Sequence, residues 1–188
     1  MDPFNLQLRS EGVPTRLAKM RAMEVYLLRH GIAQERDPKK YPDDRLRPLT
    51  IEGLERMREI VRGMLKLGVE FDAVFDSGYT RARQTTEAVT DAYRIDSSDI
   101  QTTPALEPDH NPAEVLALLE ANKATKRVLL VGHEPHLSIT VALLIGGRDG
   151  DAFDFKKGAL TRVDMQALKK GTGTLMYLLP PKVLRKIR

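Results

Sequence analysis

The sequence predicts an α/β fold of three layers, in which a mostly parallel central sheet is flanked by helices. Three observations support this prediction. Short apolar runs alternate with segments whose apolar residues recur at helical spacing. A length of 188 residues fits a single domain with a full core. Polar motifs follow three of the apolar runs, and parallel strands bring such motifs together at one edge of a sheet.

The strands begin with Val25–Leu28, a run too short and too apolar for a surface helix. The polar segment 31–48 is predicted to be a loop over one face of the sheet. The remaining strands are predicted at 71–77, within 100–106, at 127–132, and as two closing strands at 161–165 and 174–179 that pair through 169–173.

Four helices are predicted between these strands. Thr50 is the predicted N-cap of the first, because its hydroxyl precedes an acidic first turn that contains Glu52. Gly68 is predicted to end this helix. The other helices are predicted at 80–93, 113–121 and 135–145.

The two ends of the chain are treated separately from the domain. Residues 1–22 lack the apolar centre of a secretory signal and have no convincing periodicity, so they are predicted to be a leader or extension outside the core. The domain itself is predicted to span 23–188. The basic tail is predicted to dock as a terminal helix through Val183, Leu184 and Ile187, in preference to forming an amphipathic surface segment.

Composition narrows the class of protein. Hydrophobic residues make up 41% and charged residues 30%, as in an ordinary globular domain. The absence of cysteine excludes disulfides, thiolate metal sites and a cysteine nucleophile. The net charge is +4, but the basic residues are dispersed and aromatic residues reach only 5%, which does not favour a nucleic-acid-binding surface. No apolar run approaches the roughly 20 residues that span a bilayer. We therefore expect a cytoplasmic monomer that binds neither nucleic acid nor membrane.

Leu28-Arg29-His30-Gly31 is the most informative motif, because it follows the first predicted strand directly. A histidine in this position can act as a nucleophile toward phosphorus, and the adjacent guanidinium can hold phosphoryl oxygens with two hydrogen bonds. Three further motifs follow in order. They are Arg47-Pro48-Leu49-Thr50, Thr80-Arg81-Ala82-Arg83-Gln84-Thr85 and Val131-Gly132-His133-Glu134. Together the four motifs predict a phosphate pocket built from arginines and two histidines.

Arg81 is predicted to face a ligand. It lies in the first turn of a helix, where backbone N–H groups favour an anion and where a basic side chain opposes the usual charge preference. Arg83 is two residues further along, about 200° around the helix, and is expected to face away. Ser77 is expected to serve first as a cap and second as a phosphate contact.

The ordered motifs resemble the histidine phosphatase superfamily, which includes the phosphoglycerate mutases, and are most similar to its branch of small SixA-type phosphohistidine phosphatases. The likeness runs from about Met23 to Leu184. It implies a phosphoglycerate mutase-like fold and a phosphatase that forms a phosphohistidine enzyme intermediate. The resemblance makes His30 the nucleophile and implies further site residues. These are the catalytic residues Arg29, Arg81 and His133 and the substrate-binding residues Arg47, Gly31 and Ser77.

A general acid is harder to assign from the sequence. Larger relatives use a Glu or Asp to protonate the leaving group, and Glu107 and Asp109 are the candidates by position. However, Leu106-Glu107-Pro108 resembles an element of the SixA branch in which that acid is not evident. Imidazole leaves more readily than an alkoxide, so a weak or absent acid favours a phosphohistidine substrate over an ester.

The predicted substrate is therefore phosphohistidine on a signalling or phosphotransfer protein. One alternative is a phosphomonoesterase for phosphoserine or a small molecule, and another is a phosphate-binding regulatory domain without turnover. No metal or other cofactor is predicted, because the acidic residues are scattered and no Gly-x-x-x-x-Gly-Lys-Ser/Thr loop is present.

Overall fold

A six-stranded mixed sheet forms the centre of the protein in a computed structural model that describes residues 23–148, 150 and 152–187. The strands are β1 Met23–Arg29, β2 Ala73–Asp76, β3 Ile100–Thr102, β4 Arg127–Gly132, β5 Leu160–Met165 and β6 Gly173–Leu179. Their order across the sheet is β3-β2-β4-β1-β5-β6. The pairs β1–β4, β2–β4 and β2–β3 are parallel, whereas β5 is antiparallel to both of its neighbours. The predicted mostly parallel sheet is confirmed.

Helices cover both faces of this sheet, which confirms the three layers. They are α1 Ile51–Lys66, α2 Thr80–Tyr93, α3 Glu114–Ala121, α4 His136–Ile145 and α5 Pro181–Leu184. Because side chains alternate along a strand, Tyr26 and Leu28 of β1 pack with α1, α2 and α5, while Val25 and Leu27 pack with α3 and α4. Each face of the sheet therefore has its own buried core.

Most of the predicted elements are present with shifted ends. The second strand is shorter than predicted, because Phe71, Asp72 and Ser77 lie outside it. The Thr50 hydroxyl accepts a hydrogen bond from the Gly53 amide at 2.8 Å, which confirms the predicted cap of α1. The predicted leader, residues 1–22, lies outside the described residues.

The register of the parallel strands places three of the motifs side by side. Arg29 at the end of β1 is paired with Gly132 at the end of β4, so His30 and His133 follow at neighbouring positions. Asp76 of β2 is paired with Val131, which brings Ser77 to the same edge. The carboxyl edge of the sheet therefore gathers residues that are about 50 positions apart in the sequence.

The C-terminal helix α5 reaches this same edge and packs on α1. Leu184 is fully buried, and Ile187 packs partly buried against the core. The close approach requires glycine at position 63, because a Cβ atom there would lie 2.1 Å from the Leu184 carbonyl oxygen. The predicted docking of the tail is correct for these two residues and wrong for Val183, which is 45% exposed on the outer side of the short helix.

Candidate active site

His30 lies buried at the end of β1, with only 6% of its surface exposed. Its backbone N–H donates to the Gly132 carbonyl at 3.1 Å, and its ring Nδ1 lies 2.7 Å from the Gly31 carbonyl oxygen. Since a carbonyl oxygen only accepts hydrogen bonds, the neutral ring carries its proton on Nδ1. The lone pair on Nε2 is then free to attack an electrophile.

The neutral state of His30 has two physical causes. Burial lowers its pKa from 6.5 to about 3, and the charges of Arg81, Arg29 and Lys157 contribute in the same direction. In the structure, removal from water is the larger cause.

His133 is the second buried histidine of the site, and its ring centroid is 5.0 Å from that of His30. The Ser77 hydroxyl accepts a hydrogen bond from the Tyr79 amide at 3.4 Å and contacts His133 Nε2 at 2.7 Å. A hydroxyl that accepts from the amide can donate its own hydrogen to Nε2, which assigns the His133 ring proton to Nδ1. Burial, followed by His30 and Arg81, lowers the pKa of His133 to about 2. Its buried Nδ1–H has no hydrogen-bond partner among the described residues.

Arg29 projects from the end of β1 and is held by backbone rather than by an acid. Its terminal nitrogen donates to the Phe155 carbonyl oxygen at 2.7 Å, and its buried Nε has no hydrogen-bond partner in the described part of the chain. Burial lowers the pKa of this guanidinium, which remains a cation at neutral pH. Arg29 therefore brings a positive charge to the pocket without a directly bonded carboxylate.

Arg81 enters the pocket from the first turn of α2, and its side chain is 4% exposed. Two of its nitrogens contact Asp44, one donating to the backbone carbonyl at 2.8 Å and the other paired with the carboxylate at 3.0 Å. Its Nε is buried without a hydrogen-bond partner among residues that the structure describes. Arg83 is exposed, as the helical geometry predicts.

Arg47 lies on the far side of the same carboxylate. Its guanidinium donates to Asp44 at 2.8 and 3.4 Å and to the Gln34 carbonyl at 2.7 Å, so all three of its nitrogens are engaged. Gly31 is similarly occupied, because its amide donates to the Thr85 hydroxyl at 3.1 Å. The roles of Arg47, Gly31 and Ser77 in substrate binding stay predictions.

The two candidate acids differ in position. Glu107 pairs with Arg45 at 2.7 Å, and the Arg45 guanidinium lies 5.5 Å from the centre of the Tyr79 ring, which in turn contacts the His133 ring. Asp109 is exposed. Glu107 is thus joined to the site through Arg45 and Tyr79, and the assignment of an acid stays a prediction.

Three functional neighbours were missed by the sequence analysis. Asp44 joins Arg47 to Arg81. Burial raises the pKa of its carboxyl group, but the two arginines lower it by more, so the pKa is lowered overall. Thr85 connects the His30 loop to α2, since it also donates to the Arg81 carbonyl at 2.7 Å. Lys157 lies two residues after Phe155, whose carbonyl oxygen accepts from Arg29, and its charge contributes to the lowered pKa of His30. Only Thr85 carried a signal, as part of a motif that was quoted without a role for it.

Neither a metal cluster nor a membrane helix is found in the described part of the chain. Residues 23–148, 150 and 152–187 contain no group of three or more His, Cys, Asp and Glu side chains suited to an ion. Over the same residues, no helix combines the length and apolar character needed to cross a bilayer.

Comparison with known proteins agrees with this geometry. The sequence profile of the histidine phosphatase superfamily (branch 1) matches residues 25–108. The phosphohistidine phosphatase SixA of Escherichia coli is 30% identical over 161 residues, which cover 85% of this chain and 94% of that protein. A solved structure of the protein histidine phosphatase SixA with tungstate superposes with a TM-score of 0.75, at 30% identity, over 85% of this chain and 98% of that one. The α-ribazole phosphatase of Shigella flexneri shares the fold, with a TM-score of 0.66 at 20% identity, over 85% of this chain and 97% of that one.

Proposed function

The chain belongs to the histidine phosphatase superfamily and is a phosphatase, and from this premise we propose that its substrate is phosphohistidine on a protein. The observation that carries the proposal is the buried, neutral His30, whose Nδ1–H is held by the Gly31 carbonyl so that Nε2 is free. The E. coli relative is named a phosphohistidine phosphatase, which supports this substrate class.

In the first step the lone pair on His30 Nε2 attacks phosphorus. The P–N bond of the substrate breaks, and its electron pair returns to the nitrogen of the leaving imidazole. Arg29 and Arg81 stabilise the charge that spreads over the phosphoryl oxygens, and His133 donates its Nδ1–H to one of them. Arg29 Nε, Arg81 Nε and His133 Nδ1 are three buried donors of the pocket that the described residues leave unpaired, and a phosphoryl group can satisfy them.

In the second step water attacks the phosphorus of phosphorylated His30. The P–Nε2 bond breaks, inorganic phosphate leaves, and the lone pair of His30 is restored. Neither step demands a strong acid, because an imidazole whose second nitrogen is protonated leaves as a neutral molecule. This agrees with a site in which the nearest candidate acid, Glu107, is engaged by Arg45.

One observation favours a phosphomonoesterase as the second candidate. The Glu107 side chain is only 13% exposed and reaches the rim of the site through Arg45 and Tyr79. An alkoxide leaving group requires a proton, and a carboxyl group released from Arg45 could supply it. The α-ribazole phosphatase of Shigella flexneri shares the fold, and its name supports an ester substrate as the alternative.

Phosphate release from a histidine-phosphorylated phosphotransfer protein tests the proposal, with p-nitrophenyl phosphate and phosphoserine assayed in parallel. We expect rapid release from the phosphohistidine protein and a loss of at least about a thousandfold in His30→Ala, because the nucleophile is removed. The control is Arg83→Ala, which removes an exposed side chain of α2 that faces away from the pocket and should retain activity.

The outcomes separate the two candidates. Faster turnover of the esters, with a strong loss in Glu107→Gln, would assign a phosphomonoesterase. Full turnover by His30→Ala would contradict the nucleophile itself. A phosphorylated enzyme that is labile in acid and stable in base, trapped from wild type and absent from His30→Ala, is the expected intermediate.

A further inference from the structure

A second concave site lies beside the phosphoryl pocket at the same edge of the sheet. It is a cavity of about 300 Å³ between the loop that follows β1, helix α1 and helix α5. Gly31, the residue after the nucleophile, forms part of its wall. The partly exposed Ile32 and Pro181 give the cavity an apolar surface, while Met57 and Ile60, which also line it, are buried in the core. The volume is at the lower end of the range for small-molecule sites.

Cations surround this cavity. Arg56, Lys157, Lys182 and Arg185 all line it, and no carboxylate is among its lining residues. Arg56 is paired with Glu52 and Arg185 with Glu59, so the charges of the two arginines are partly offset. Lys157 and Lys182 have no salt-bridge partner in the described part of the chain. The cavity therefore carries an excess of positive charge, which favours an anionic ligand.

Lys157 connects the cavity to the phosphoryl pocket. Its pKa is lowered by burial and then by Arg29, Arg47 and Arg81, and its own charge in turn lowers the pKa of His30. The loop that carries it is fixed to β1, because the Gly158 amide donates to the Arg29 carbonyl at 3.0 Å. A substrate seated on His30 therefore lies next to the cationic entrance of the cavity.

We propose that this cavity is a second anion subsite that binds an acidic side chain of the substrate protein close to its phosphohistidine. The inference rests on the proposed function and deepens it. A glutamate suits both parts of the cavity, since its methylene groups can pack on the partly exposed Ile32 and Pro181 while its carboxylate reaches Lys182 and Lys157. The subsite thus adds sequence selectivity to a pocket that otherwise recognises only a phosphoryl group.

Two histidine peptides phosphorylated with phosphoramidate test this proposal. One has glutamate on both sides of the histidine and the other has glutamine. We expect the wild-type enzyme to favour the glutamate peptide by about fivefold in kcat/KM, mainly through a lower KM. This ratio corresponds to the free energy that a partly exposed ion pair contributes to binding. This ratio should fall to about one in Lys182→Ala, fall below one in Lys182→Glu, and be retained in Lys182→Arg.

The control variant is Lys170→Ala. Lys170 is an exposed lysine in the turn between β5 and β6, at the opposite edge of the sheet, and its loss should leave the ratio at the wild-type value. A wild-type ratio of one, or a ratio unchanged in Lys182→Glu, would overturn the subsite.

Parallel assays separate this proposal from the proposed function. If neither peptide is hydrolysed while p-nitrophenyl phosphate is, the phosphohistidine assignment fails. The cavity is then tested by comparing kcat/KM for two small substrates. 3-Phosphoglycerate carries a carboxylate, and p-nitrophenyl phosphate does not. If the enzyme prefers 3-phosphoglycerate and the preference is lost in Lys182 variants, the subsite binds small phosphorylated acids and the proposal of a protein substrate is wrong. If Lys182 variants leave the preference unchanged, the cavity is not an anion subsite.

Discussion

Arginines at the pocket and arginines elsewhere on the sheet are held in opposite ways. Arg127, at the start of β4, contacts both oxygens of Asp72 at 2.6 to 3.2 Å and also pairs with Glu70. Arg162 in β5 is paired with Asp164 at 2.6 Å and with Glu24 at 3.0 Å. Hydrogen bonds to these carboxylates are the main reason that the pKa values of both guanidinium groups are raised.

The pocket arginines lack such neutralisation. Arg29 donates to a backbone carbonyl, and Arg81 shares the single carboxylate of Asp44 with Arg47. Burial lowers the pKa of both Arg29 and Arg81, so each is a cation kept at a cost in solvation. A buried arginine with an incomplete set of partners indicates a ligand site, whereas a fully paired arginine indicates a structural one.

The largest effect is expected from removing one arginine of each kind. Arg81→Ala should lower kcat/KM by about 100- to 1,000-fold, because it removes a donor aimed at transition-state charge. Arg127→Ala should keep activity within about twofold, since its ion pairs lie at the amino end of β4. Steady-state kinetics, with thermal unfolding to confirm that both variants fold, provide the measurement. Comparable losses in the two variants would remove the distinction between them.

A medium effect is expected from pH, through the two buried histidines of the pocket. Their pKa values are lowered from 6.5 to about 3 for His30 and about 2 for His133. Below pH 6.5 the unfolded chain binds more protons than the folded one, so these groups make stability fall as pH falls toward their folded pKa values. Between pH 6.5 and 5 the loss should be about 1–2 kcal/mol for each histidine.

Urea unfolding at several pH values measures this loss, and His30→Asn should remove one histidine's share. Nitrogen NMR should find both rings neutral at pH 5. A titration of either ring near pH 6.5 would contradict the burial argument.

The smallest effect is expected from the shared carboxylate. Asp44→Asn should strengthen inhibition by inorganic phosphate by about fivefold, because Arg47 and Arg81 lose an internal anion that competes for them. It should also lower kcat severalfold, since the two guanidinium groups are less firmly positioned. Asp164→Asn is the matched control at a fully paired arginine and should change neither value. Weaker inhibition in Asp44→Asn would show that Asp44 only orders the arginines.

The sequence predicts the sheet and the histidine pair well for a physical reason. Buried parallel strands such as β4 are continuous apolar runs, and the residues that follow them must meet at one edge. Arg29, His30 and His133 could be found because each directly follows or ends such a run.

The remaining parts of the site depend on contacts that local patterns do not encode. Asp44 lies in a polar loop, in a short 3-10 turn, and its role follows only from where Arg47 and Arg81 place their side chains. Lys157 reaches the pocket because β5 runs antiparallel to β1. The first residue of β5, Leu160, therefore pairs near the carboxyl end of β1, and the residues just before it lie at the edge of the sheet that carries the site. Arg45 and Glu107 are 62 residues apart and meet through the tertiary fold.

The central position of β1 has a consequence for the synthesis of the chain. This strand is synthesised before its two neighbours in the sheet, β4 and β5, which follow about 100 and 135 residues later. At roughly 5–20 residues per second, the segment that carries the nucleophile therefore waits at least about 5 s for its first partner strand. Its apolar run Val25–Leu28 has no partner strand to pair with throughout that interval.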